Sequence, residues 1–144
     1  MNQSSYHKNM RILFVFTFEY SLETWLKSGT LEKEIKLFKE LYINKGVKFT
    51  FLTYGNEKDL NYDLSSFGIE VMPIFKNKRV PNTKILLALY SIYFSIKNRK
   101  KMKHINIIQQ NQLNGSWLSI IMKLILRKPL ILRTGYDTYR FSVL

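Results

Sequence analysis

Ile105-Asn106-Ile107-Ile108-Gln109-Gln110-Asn111-Gln112-Leu113-Asn114-Gly115 is a short apolar run that stops at a cluster of amides and a glycine. The pattern returns at Pro129-Leu130-Ile131-Leu132, which runs into Arg133-Thr134-Gly135-Tyr136. Between them Trp117, Ile120, Ile121, Leu124 and Ile125 recur at helical spacing, in a helix that begins at Asn114 or Ser116 and ends near Arg127. Strand, helix, strand is the signature of a parallel pair, because parallel strands need a long crossover. Strands that are apolar throughout belong to a sheet buried on both faces.

The rest of the chain reads the same way. Met10 to Thr17 is a buried strand, followed by a long connection from Phe18 to Gly29. Thr30 opens a helix to Lys45 with Leu31, Ile35, Phe38 and Leu41 on one face, and Gly46 stops it. Val47 to Thr53 is the second strand and Ile69 to Ile74 the third. Pro73 puts the third at an edge or a strand end. After a basic loop from Lys76 to Thr83, a second long helix spans Lys84 to Lys103, apolar all round at first and basic at its end. The fourth strand is read as Ile105 to Ile108 and the fifth as Leu130 to Leu132. This order predicts an α/β, Rossmann-like domain over residues 10–144, its largely parallel sheet covered by helices on both faces, behind a flexible leader at residues 1–9.

Composition narrows the function classes. The chain has 144 residues, 46% of them hydrophobic, enough for one buried core. It has no cysteine, so it holds no disulfide framework and no thiolate nucleophile or ligand, and His7 and His104 are too few for a metal cluster. No metal site is expected. The apolar stretch Ile85–Ile96 falls well short of the roughly 20 residues a membrane span requires. The net charge of +13 is unevenly spread: residues 1–70 carry nine acids and nine bases, whereas residues 71–136 carry thirteen bases and no acid. Such a segment is drawn to phosphates or anionic lipid. It also rules out a phosphoacceptor receiver domain, which needs acids at the strand ends.

The order and spacing of several pieces resemble the N-terminal domain of a family 4 glycosyltransferase of the two-domain GT-B type. These are Met10-Arg11-Ile12-Leu13-Phe14-Val15, Gly29 before its helix, and Asn44-Lys45-Gly46-Val47-Lys48-Phe49-Thr50-Phe51-Leu52. Ile69-Glu70-Val71-Met72-Pro73 and Lys128-Pro129-Leu130-Ile131-Leu132-Arg133 complete the set. The resemblance implies the acceptor-binding half of a hexosyltransferase-type enzyme acting in polysaccharide, lipid-linked saccharide or cell-envelope glycan synthesis. It implies a nucleotide-sugar donor held mainly by a C-terminal domain that these residues do not contain, and a chain that does not turn over donor alone. Its partners would be a sugar or lipid-linked acceptor, an anionic membrane surface and a separate donor-domain chain. Its location would be cytoplasmic, peripheral on the inner face of the cell membrane. No further cofactor is implied. Relatives place a histidine after the fourth strand, but here the residues are Gln109-Gln110-Asn111-Gln112, which bind hydroxyls and cannot transfer protons. Catalytic residues are therefore not assigned.

In an open parallel sheet ligands bind at the carboxyl ends of the strands. Candidate acceptor or diphosphate binders are thus Gly29, Asn111, Gln112, Asn114, Gly115, Arg133, Gly135 and Tyr136. Each has a plainer reading. Gly29 could be a turn glycine, Asn114 an N-cap, and Arg133 a structural partner of Asp137. Glu19, Glu23 and Trp25 form a candidate acceptor loop, or a solvated loop with one anchoring aromatic. Lys97, Arg99, Lys100, Lys101 and Lys103 form a candidate membrane-surface patch, or a solvated helix end. A competing reading is a non-enzymatic basic α/β module on a membrane surface or nucleic acid. Nucleic acid is disfavoured, because no stacking pattern or known motif accompanies the charge.

Overall fold

A computed structural model describes residues 9–134. The apolar runs form β1 (Arg11–Val15), β2 (Lys48–Asn56), β3 (Ile69–Phe75), β4 (Ile107–Gln110) and β5 (Leu130–Leu132). All pair in parallel, in the order β3-β2-β1-β4-β5. This is the strand order of one Rossmann half, with the chain reversing direction across the sheet between β1 and β4. Ile12 lies opposite Phe49 on one side and Ile107 on the other, which fixes β1 at the centre.

The helices are α1 (Leu22–Lys27), α2 (Leu31–Lys45), α3 (Lys84–Lys97) and α4 (Ser116–Leu126). Right-handed crossovers place α1 and α2 on one face and α3 and α4 on the other. Side-chain alternation agrees. Phe14 and Phe51 point toward α2, where Phe38 meets each at 4.9 Å and Phe49 at 4.7 Å. On the other face Phe75 stacks on Tyr90 of α3 at 5.1 Å, and Gln110 bonds Ser119 of α4. The expected doubly covered parallel sheet is what forms, and β3, with its Pro73, is an edge strand.

Several boundaries differ from expectation. The connection after β1 is not all loop: Ser21 and Thr24 cap each other, each hydroxyl accepting the other's backbone N–H at 3.2 Å, and α1 follows. β2 runs on to Asn56. β4 is displaced by two residues toward the carboxyl end, so Gln109 and Gln110 are strand residues. The long basic helix stops at Lys97, where Asn98 donates its amide to the Phe94 carbonyl at 2.8 Å, and the residues after it form turns. No helix among the described residues is long and apolar enough to cross a membrane.

Tyr54 of β2 is buried, and its hydroxyl has no hydrogen-bond partner among the described residues. The Ser91 hydroxyl beside it donates to the Ala88 carbonyl at 2.6 Å instead. Burial pushes the phenol's pKa far up. An orphaned buried hydroxyl costs about 1–3 kcal/mol. Tyr54→Phe is therefore expected to raise the melting temperature by a few degrees. Phe38→Ala, which empties the aromatic core, is expected to cost about 3–5 kcal/mol in denaturant unfolding. A lower melting temperature for Tyr54→Phe would mean that the hydroxyl is bonded after all.

Candidate functional site

The carboxyl ends of β1, β4 and β5 open on a pocket of about 320 Å³ lined by Tyr20, Trp25, Ser28, Thr30, Glu34, Asn111, Gln112 and Arg133. Asn111 is nearly buried because its backbone N–H continues the ladder to the Val15 carbonyl (3.0 Å) and its side-chain amide donates to Thr17 Oγ1 (3.2 Å). That leaves Asn111 Oδ1 to accept from a ligand. Gln112, next along the chain, is half-buried at the pocket wall. Arg133 N donates to the Gln110 carbonyl at 3.0 Å, prolonging the β5 ladder and aiming its side chain across the opening. There Arg133 Nη1 lies 3.2 Å from Glu34 Oε2 of α2. The expected partner Asp137 lies outside the described residues, and the observed partner is Glu34.

The start of α2 forms the opposite wall. Gly29 takes φ +71°, a left-handed conformation that L side chains rarely adopt, although the space around it is open. Thr30 precedes the helix without capping it and exchanges a hydroxyl contact with Ser28 at 2.8 Å. Glu32 and Glu34 already complement the positive end of the helix. Among the described residues the pocket's one cation is thus matched by a carboxylate, and the rest of its polar lining is amide and hydroxyl. Such a lining suits a neutral, hydroxyl-rich ligand better than a bare anion.

Other candidates separate from this group. Trp25 touches the pocket only at its margin, because it is buried and stacked on Phe16 at 4.3 Å; it is the anchoring aromatic of α1. Glu23 pairs with Lys27 (3.0 Å) and Glu19 with Lys84 (3.5 Å), and neither lines the pocket. Asn114 caps nothing with its side chain; its carbonyl accepts the Phe18 N–H at 3.2 Å. Gly115 is the cap, at φ +91°, and a Cβ there would sit 3.0 Å from Phe18, so the close approach of the two loops requires glycine. Gly135 and Tyr136 lie outside the described residues. Lys97, Arg99, Lys100, Lys101 and Lys103 lie at the opposite end of the sheet, beside the start of β1, where Asn106 N donates to the Arg11 carbonyl. Among the described residues no group of three His, Asp or Glu side chains is placed to hold a metal ion.

Sequence reasoning missed Tyr20, Ser28, Thr30 and Glu34, which carry no motif and meet only through the fold. It also missed Asp59, only 1% exposed behind the pocket wall. Thr53 Oγ1 donates to its Oδ2 at 2.5 Å, and the Leu22 N–H at the start of α1 donates at 3.3 Å. Gly55 makes room, since any side chain there would run into the Asp59 carboxylate. Asp59 therefore ties the end of β2 to α1.

No family model matches this chain, and no curated protein matches it. Among solved structures, the lipopolysaccharide outer core galactosyltransferase WaaB in its apo form aligns with 85% of this chain at 13% identity and a TM-score of 0.47. The chain spans 32% of the length of that structure.

Burial raises the Asp59 pKa, against the lowering effect of the bonds from Thr53 and from the Leu22 and Glu23 N–H groups. A carboxyl whose pKa is raised on folding stabilises the protein while protonated. That contribution is present below the ordinary value near 4 and lost as pH rises through the raised value. Asp59→Asn keeps an acceptor for Thr53 and Leu22, so its unfolding free energy is expected to lose this acid-side dependence. An unaltered pH profile of stability in Asp59→Asn would show that Asp59 ionises freely.

Proposed function

We propose that this chain is the acceptor-binding side of a glycosyltransferase of the two-domain type, moving a sugar from a nucleotide-sugar to an acceptor in glycan or lipid-linked saccharide synthesis. The observation that carries the reading is the strand-end pocket: among the described residues its one cation, Arg133, is paired with Glu34, and its other polar groups are Asn111, Gln112, Ser28, Thr30 and Tyr20. Amides and hydroxyls match the alternating donors and acceptors of a sugar. The edge of Trp25 adds apolar surface for a sugar ring. The sequence pattern described above supports the same family of reactions. In this reading Asn111 and Gln112 hold acceptor hydroxyls, and Arg133 and Glu34 act as a fork across the opening. None of the amides can move a proton at neutral pH. The donor and the chemistry then belong to a second domain or chain facing this wall, and this chain alone does not turn over donor.

The test is a titration of the labelled chain with neutral disaccharides and, separately, with inorganic pyrophosphate, followed by NMR of the Asn and Gln side-chain amides and the indole N–H groups. Saccharide is expected to shift Asn111, Gln112 and Trp25. Arg133→Ala is expected to weaken that binding about tenfold, the loss of one charge-assisted hydrogen bond. A response to pyrophosphate alone would reassign the pocket to the diphosphate, and silence toward both ligands would sink the proposal.

A further inference from the structure

The helix α3 turns polar residues toward the sheet and apolar ones toward solvent at several positions. Its sheet-facing line is Leu87, Ser91 and Ser95, four residues apart, and both serines are fully buried. Their hydroxyls donate back to the helix's own carbonyls, Ser91 to Ala88 at 2.6 Å and Ser95 to Ser91 at 2.8 Å, so they cost nothing in unmet hydrogen bonds. The outward line is Ile85 (74% exposed), Leu86, Leu89 (59%), Tyr93 and Ile96. A surface helix normally does the reverse, with polar residues outward. The neighbouring α4 exposes Ile120 and Leu124 as well. Apolar side chains gathered over two adjacent helices mark an interaction surface rather than scattered exposure.

The rim of this face is basic, apart from the Glu19 carboxylate that pairs with Lys84 at 3.5 Å. Lys84 stands at its crevice end, Lys97 lies over the Tyr93 ring at 5.7 Å, and Lys123 and Arg127 flank Leu124. At the far end the turns after α3 and the end of α4 enclose a cleft of about 480 Å³ lined by Arg99, Lys100, Lys103, Lys128, Ile125 and Leu126. Residues 71–136 contribute no acid of their own to these charges. A protein partner would be expected to meet ion pairs of both signs, whereas an anionic bilayer presents apolar depth beneath phosphates of a single sign. A tyrosine with a lysine over its ring also suits the headgroup boundary.

We infer that the outer face of α3 and α4 docks on an anionic phospholipid bilayer. Ile85, Leu86, Leu89 and Tyr93 enter the acyl boundary, and lipid phosphates sit in the cleft of Arg99, Lys100, Lys103 and Lys128. Such binding sums apolar burial and attraction to headgroups, without a spanning helix. The apolar line extends about 16 Å along α3. Its Ile85 end reaches the strand-end crevice, since the adjoining Lys84 pairs with Glu19 just after β1. A lipid-anchored acceptor would thus meet the pocket at the edge of the docked face. That last step rests on the sugar-transfer reading, whereas the docking itself does not.

The test is co-flotation of the chain with vesicles of phosphatidylcholine alone and of phosphatidylcholine with an equal part of phosphatidylglycerol. Binding is expected to be at least about tenfold stronger to the anionic vesicles and to fall as salt rises. The doubles Ile85→Ser/Leu89→Ser and Lys100→Gln/Lys103→Gln are each expected to reduce it about tenfold while circular dichroism and melting temperature hold, because all four side chains face solvent. Equal binding by wild type and both doubles, or no binding to either vesicle, overturns the proposal. So does a concentration-dependent dimer that the Ile85→Ser/Leu89→Ser double abolishes in the absence of lipid, or binding to DNA that outcompetes the vesicles.

Discussion

Phe16 stacked on Trp25, with Phe14, Phe38 and Phe51 wedged edge-on around them, is the contact set on which the rest of the molecule depends. It joins the central strand, its neighbour β2 and the first two helices in a single aromatic block. Aromatic pairs at these spacings contribute about 0.5–1.5 kcal/mol each beyond the area they bury. Because Trp25 is the anchor of α1, the block also decides where α1 ends and where Gly29 and Thr30 turn into α2. The pocket wall that faces Asn111 and Arg133 is therefore set by packing on the side of the helix away from the pocket.

Asp59 fastens the same corner with polar chemistry. Its carboxylate reaches Thr53 at the end of β2 and the backbone at the start of α1. Arg133 and Glu34 bridge β5 to α2 across the opening, but that pair is part exposed, and surface ion pairs are worth only about 0–1 kcal/mol. The wall is held mainly by the aromatic block and the buried carboxyl. Arg133 and Glu34 remain free to exchange their mutual contact for contacts to a ligand.

Much of the architecture was legible in the sequence because short continuous apolar runs separated by amphipathic ones have few other solutions. The fourth strand slipped because glutamine does not look like a strand residue. Gln110 is tolerated there because Ser119 of the following helix and the Phe16 carbonyl, remote in sequence, satisfy its amide. α1 was hidden in a stretch whose one clue was the Ser21–Thr24 pair. Of the candidate pocket, Asn111, Gln112 and Arg133 could be named from the strand-end rule. Glu34 could not, because it stands 99 positions from Arg133 and belongs to an ordinary charged helix face. The inward serines of α3 were masked by the apolar residues surrounding them, which made every face of that helix look alike.

The strand order also fixes a history for the chain as it is made. Residues 11–75 supply β1, β2 and β3 with both helices of one face, so one side of the sheet can close as soon as β3 has emerged. Leu13, Val15 and Leu52 on the other side stay bare until α3 arrives, and β1 keeps an open edge until residues 107–110 reach it. Pairings that span so much sequence form late and leave apolar surface waiting. Synthesis thus passes through a half-clad sheet whose exposed side is the very one that α3 and α4 later seal, with Leu87, Ser91, Leu118 and Met122 inward and Ile85, Leu89 and Leu124 outward. The molecule exchanges one apolar face, unfinished, for another, finished and facing out.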